Sequence, residues 1–208
     1  MALIIDKLTV KRGDRTILAG LSLTVADGEA LLLTGPNGTG KTTLLRTIAG
    51  LLPQADGTIA LEGYEAEIGT GLGELCHYVG HRNGIKPALT VTENADFWRT
   101  YLGGPRRAVA EALESFRLTA LATVRAAYLS AGQKRRLGLA RLLLAPRALW
   151  LLDEPAVSLD ATSQAILAEV ANRHAARGGI IVAATHQPLG FAPARELRLQ
   201  PVALDERT

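Results

Sequence analysis

Cysteine is nearly absent from this 208-residue chain: Cys76 stands alone, so no intramolecular disulfide framework exists, and the usage fits a reducing compartment. Aromatic residues are also scarce, at three Phe, four Tyr and two Trp, which leaves aliphatic side chains to fill the core. No apolar run approaches the ~18 residues of a membrane span. The opening MALIIDKLTV reaches Asp6 before a leader of useful length could form, so neither a signal peptide nor an anchor is expected. An excess of one charge is missing too, since 23 Lys and Arg face 20 Asp and Glu for a net +3. That balance gives no reason to expect a nucleic-acid partner. Internal repeats, low-complexity tracts and linkers are lacking, which predicts a single domain over residues 1–208. With 48% hydrophobic and 21% charged residues, the chain is globular rather than disordered.

Leu3–Val10 and Ile17–Val25 alternate as strands, and Asp27-Gly28 turns into a third strand, Ala30–Thr34. Strands joined by Asp-Gly predict an antiparallel layer at the N-terminus. Lys41–Ala49 reads as a helix closed by Gly50, followed by a short strand at Thr58–Leu61, a glycine-rich loop over Gly63–Gly73 and a strand at Cys76–Val79. From Val91 to Leu144 the pattern is helical, with capping boxes at Thr90–Glu93 and Ser130–Gln133. Strand Leu149–Leu152, helix Ala161–Arg177 and strand Ile180–Ala184 then alternate, which predicts a parallel sheet with crossover helices. The expected architecture is α/β: a parallel-sheet core, an N-terminal antiparallel layer, and an inserted helical subdomain at about residues 83–144.

Gly35-Pro36-Asn37-Gly38-Thr39-Gly40-Lys41-Thr42 fits G-x-x-x-x-G-K-[ST], follows the strand ALLLT and opens a helix. Glycines let backbone N–H groups converge on phosphate oxygens, and the helix start adds its dipole. Lys41 is placed to neutralise β- and γ-phosphates and the Thr42 hydroxyl to bind Mg²⁺, with Thr43 beside it. Downstream, the buried strand ALWLL ends in Asp153-Glu154. Asp153 suits an indirect or water-mediated Mg²⁺ contact, and Glu154 suits polarisation of an attacking water. An acidic pair at a strand end is by itself more often the start of a solvated loop; the phosphate loop upstream reverses that reading.

These motifs resemble the ATP-binding-cassette (ABC) ATPases. Leu129-Ser130-Ala131-Gly132-Gln133 is similar to the family signature with one glycine replaced by Ala131; Ser158-Leu159-Asp160 matches the D-loop, and His186 matches the switch histidine. The motifs run in family order across nearly the whole chain. The resemblance implies ATP and Mg²⁺ as ligands, and a head-to-tail dimer in which Ser130–Gln133 and Asp160 of one copy face the phosphate loop of the other. Within the family, GH-x-x-GIK at 80–86, LSAGQ and THQ are similar to haem-exporter ATPases of cytochrome c maturation. That likeness implies a peripheral subunit on the cytoplasmic face of a bacterial inner membrane, bound to membrane subunits B, C and D. An ATPase of another small exporter, a soluble cassette protein and a non-hydrolysing regulator are the alternatives.

Two positions depart from the family pattern. Arg12 stands where an aromatic ordinarily stacks on adenine; a guanidinium plane can stack on a base as well. Arg82 stands where a glutamine ordinarily senses Mg²⁺ and the membrane subunit. Other features are read as bystanders. Cys76, His77 and His81 lie close together, but no C-x-x-C-H occurs and the segment reads as strand and turn. Gly69–Gly73 lacks the dinucleotide-loop spacing, and Lys134-Arg135-Arg136 reads as a solvated helix face.

Overall fold

In a computed structural model, residues 1–64 and 71–202 are described. The expected glycine-rich loop therefore falls partly outside the described residues, at 65–70. Strands β1 (Ala2–Arg12) and β2 (Arg15–Ala26) form a long antiparallel hairpin about Gly13-Asp14, and its apolar side carries Leu3, Ile5, Leu8 and Val10. The chain then leaves for β3 (Ala30–Thr34) and helix α1 (Lys41–Ile48), and returns as β4 (Asp56–Glu62) on the free edge of β1. The antiparallel layer is thus β2-β1-β4.

The Asp27-Gly28 turn does not join two strands of this layer, which corrects the expectation from the sequence. It carries the chain from β2 into the middle of the other sheet, where β3 lies parallel to its neighbours. The reason lies in the residues: Ala30, Leu31 and Leu33 are buried, so ALLLT suits a strand covered on both faces rather than a half-exposed layer.

The second sheet contains β5 (Cys76–Val79), β6 (Leu149–Asp153), β7 (Ile180–Ala184) and β8 (Ala194–Arg198), with β3 between β7 and β8. All four pairings are parallel, in the order β5-β6-β7-β3-β8. Alternation sorts the core into two halves. Leu31, Leu33, Leu149, Leu151, Ile180 and Val182 face α1 and the antiparallel layer. Trp150, Leu152, Ile181 and Ala183 face the helical side. That side is built from α2 (Val91–Leu102), α3 (Ala108–Ser115), α4 (Ala131–Ala140) and α5 (Ala161–Ala175). Both expected capping boxes form, at Thr90–Glu93 and Ser130–Gln133. No helix among the described residues is long and apolar enough to cross a membrane.

Strand β8 was not evident from the sequence, because ARELR is almost wholly exposed and has no apolar alternation. It pairs with β3 through five residues, and the segment after it backs the phosphate loop: Leu199 N–H donates to Thr34 O at 2.9 Å. Since the five strands are parallel, Thr34, Val79, Asp153, Ala184 and Arg198 all end on one edge, where ligand sites of such sheets lie.

Candidate functional site

At that edge β3 ends and the chain wraps through Gly35–Gly40 into α1. Gly35 has φ 121°, and a Cβ there would meet Leu199 O at 2.3 Å, so only glycine fits between loop and edge strand. Gly40, at φ 96°, occupies the N-cap of α1, and no side chain caps that helix. An uncapped helix start with left-handed glycines leading into it leaves main-chain N–H groups free for an anion. Lys41 is buried and folded over the loop, its Nζ donating to Gly35 O at 2.7 Å and Pro36 O at 3.0 Å, while Thr39 Oγ1 donates to Pro36 O at 3.0 Å.

Across the cleft, β6 brings Asp153, itself buried, to Thr42: the hydroxyl donates to Asp153 Oδ1 at 3.0 Å. The other carboxylate oxygen lies 3.4 Å from the Tyr78 hydroxyl, which accepts from Arg46 Nε at 3.2 Å. Desolvation raises the Tyr78 pKa, keeping the phenol protonated and able to donate. Neither Tyr78 nor Arg46 was singled out from the sequence, for neither lies in a motif; only the pairing of β5 with β6 brings Tyr78 there.

Glu154 follows Asp153 with φ 50°, a conformation unusual for a side chain of this size, and its N–H donates to Ala184 O at 3.0 Å. Its Oε1 lies 3.3 Å from Nε2 of His186, which follows β7. Arg12, Arg15, Ile17, Asn37, Gly38 and Thr43 complete a cleft of about 450 Å³ with Lys41, Thr42, Asp153, Glu154 and His186. Arg12 lines this cleft together with Arg15 and Ile17.

The remaining expected residues lie elsewhere. Ser130 and Gln133 close the capping box of α4: Gln133 N–H donates to Ser130 Oγ at 3.2 Å, and Ser130 N–H to Gln133 Oε1 at 2.8 Å. Ala131 and Gly132 follow in the first turn, with Gly132 against the Ser158 carbonyl. Asp160 caps α5 by accepting from Ser163 N–H at 2.8 Å, which holds its carboxylate below the ordinary value. None of these lines the cleft of its own chain.

Cys76 and His77 alternate on β5, so their side chains leave opposite faces of the sheet. Burial raises the thiol to about 11 and lowers the imidazole to about 4. His77 Nε2 lies 2.8 Å from Ala145 O and must donate, since a carbonyl only accepts. His81 is exposed, and no metal-holding group of three or more His, Cys, Asp or Glu exists among the described residues. One correction applies to Lys134-Arg135-Arg136: Arg135 is 4% exposed rather than solvated. Its neighbours Lys134 and Arg136 are partly exposed.

A phosphate loop on an uncapped helix, a hydrogen-bonded Thr–Asp pair and a Glu–His pair at the edge of a parallel sheet define a P-loop nucleotide hydrolase. The ABC transporter family model matches residues 18–157, and the chain belongs to that family as an ATPase subunit. It is 54% identical over 188 residues to the "Cytochrome c biogenesis ATP-binding export protein CcmA" of Nitrobacter winogradskyi, covering 90% of this chain and 92% of that protein. The protein of the same name from Chelativorans sp. is 50% identical, over 96% of this chain and 98% of that one. In fold it resembles an ABC transporter ATP-binding protein of Pyrococcus furiosus, at TM-score 0.81 and 24% identity over 96% of this chain and 98% of that one.

Proposed function

We propose that this chain is the ATP-hydrolysing subunit of a cytochrome c biogenesis export system. In this reading it is held at the cytoplasmic face of a bacterial inner membrane by integral subunits B, C and D, and works as a head-to-tail pair. The observation that carries the chemistry is the convergence of Lys41, Thr42, Asp153, Glu154 and His186 on one cleft. The pathway rests on the relatives of that printed name, which match at about half identity along almost their full length.

The residues fit ATP and Mg²⁺. Main-chain N–H groups of Asn37–Gly40 and the start of α1 take phosphate oxygens, and Lys41 exchanges its loop carbonyls for β- and γ-oxygens. The Thr42 hydroxyl and the Asp153 carboxylate, already 3.0 Å apart, are the hard oxygen donors that Mg²⁺ prefers. When bound, the ion offsets phosphate charge. Glu154 takes the proton of the attacking water as its oxygen bonds the γ-phosphorus; the bond to the bridging oxygen breaks, giving ADP and phosphate. His186, beside Glu154, holds the γ-phosphate and that water in line. Arg12 lies against the base. From the second copy, Ser130, Ala131, Gly132 and Gln133 close over the γ-phosphate and Asp160 supports the junction.

The pathway is tested by deleting the coding sequence in its host and staining for covalent haem. Loss of c-type cytochromes, restored by the wild type and not by Glu154→Gln, supports the reading. Unchanged c-type cytochromes in the deletion strain overturn it.

A further inference from the structure

Arg135 lies on α4, five residues beyond Ser130, and is 4% exposed. A guanidinium has five N–H donors, and here each has an acceptor. Nε donates to Pro155 O at 3.0 Å; Nη2 donates to Glu154 O at 2.8 Å and Asp153 O at 3.2 Å. Nη1 donates to Gly80 O at 2.9 Å and Asn83 Oδ1 at 3.0 Å. Among the described residues no carboxylate forms an ion pair with it, although the charges of Asp153 and Glu154 act on it from nearby. A buried cation that makes no direct ion pair is costly to keep, and its direct bonds go to four main-chain carbonyls and one side-chain amide. Burial accordingly lowers its pKa from the ordinary arginine value.

The two segments it joins carry different parts of the machinery. One is the strand end Asp153–Pro155, where Glu154 has φ 50° and needs its surroundings to hold it there. The other is the loop 80–86, which is fastened to the helices at several more points. Arg141 Nη2 donates to Asn83 O at 3.1 Å, Trp98 Nε1 donates to Gly84 O at 2.9 Å, and Lys86 N–H donates to Asn94 Oδ1 at 2.7 Å. A Cβ on Gly138 of α4 would meet Asn83 at 3.0 Å, so loop and helix lie directly against each other. Arg82 is on this loop, exposed.

We propose that Arg135 is a positioning residue for hydrolysis, fixing the main chain of Glu154 to loop 80–86 and to α4, so that movement of loop or helix shifts the Glu154 carboxylate. This rests on the reading of Glu154 as the water-activating acid. Arg135 touches neither nucleotide nor water, so its loss lowers kcat and leaves nucleotide binding intact. Displacing a catalytic group through such a support costs up to about 10²-fold.

The experiment compares Arg135→Gln, Arg135→Lys, Asn83→Ala and Glu154→Gln as purified full-length chains. It reads steady-state ATPase at rate-saturating protein concentration, affinity for a fluorescent ATP analogue with Mg²⁺, and thermal melting. The expected result is a kcat loss of ~10- to 100-fold in Arg135→Gln with affinity within about twofold of wild type. Partial rescue in Arg135→Lys and a smaller loss in Asn83→Ala complete the expectation. If Arg135→Gln does not fold, the other two variants decide. Wild-type kcat in the folded Arg135 variants, or a loss of affinity equal to the loss of kcat, overturns the inference. Wild-type hydrolysis in Glu154→Gln overturns instead the role of Glu154, and the inference falls with it.

Discussion

Helices α1 and α4 start in opposite ways, although the proposed function gives both a phosphate contact. The start of α1 has a left-handed glycine at its N-cap and no side-chain cap, and it opens into the cleft of its own chain. The start of α4 is closed by the reciprocal Ser130–Gln133 box and lies outside that cleft. Leaving first-turn donors unpaired is unfavourable unless a ligand takes them, and a box that uses two donors leaves those of Ala131 and Gly132 over. In the proposed reading the contrast separates one half of a nucleotide site, in the cleft, from a second half displaced from it, which a head-to-tail copy would bring together.

The contrast can be broken most severely at α1. Lys41→Ala removes a lysine that lines the cleft, and calorimetry should find no measurable binding of Mg-ATP. Next in size is Glu154→Gln, which keeps the shape and removes the base. Hydrolysis should fall by ~10²–10⁴ while ATP affinity stays near wild type.

A smaller effect sharpens the distinction between the cleft and the core beneath it. Burial lowers His77 and His174 from an ordinary 6.5 to about 4, and His174 stacks on Trp150 at 3.9 Å. Both imidazoles are neutral when folded, so the unfolded chain binds more protons below pH 6.5. Their stabilisation is fully present above 6.5 and is lost as pH falls toward 4. Melting scans from pH 7 to pH 5 should show a stability loss of about 2 kcal/mol per histidine, reduced in His77→Gln relative to its own value at pH 7. Smallest is Arg12→Ala, for which stacking on a base predicts a loss of ~1 kcal/mol in affinity, equal for ATP and GTP. Titrations with both nucleotides read it, and a change confined to one of them contradicts stacking.

The sequence was most legible where chemistry demands particular residues in short runs. Gly35–Thr42 and Asp153-Glu154 announce themselves because a phosphate cradle and a strand-end acid pair allow few substitutes, and the continuous apolar runs ALWLL and IIVAA placed β6 and β7. Legibility failed where position depends on long-range pairing. Tyr78 reaches Asp153 only through the β5–β6 register, Arg135 reaches five acceptors from segments about 20 and 55 residues away, and β8 is recognisable only by its partner β3. Asp27-Gly28 misled because a tight turn signals a reversal without saying which sheet receives the next strand.

The central claim, that two copies complete each other's sites, is tested by light scattering on size-exclusion eluates of Glu154→Gln with and without Mg-ATP. The double variant with Ser130→Arg is run beside it. Losing the Ser130 cap alone costs about 1 kcal/mol of helix stability, so Ser130→Ala in the same background separates that loss from the added bulk and charge. The account predicts a monomer without nucleotide, a dimer with Mg-ATP, a weakened dimer for Ser130→Ala, and a monomer for Ser130→Arg. A Glu154→Gln chain that binds ATP yet stays monomeric, or a dimer indifferent to Ser130→Arg, would contradict it.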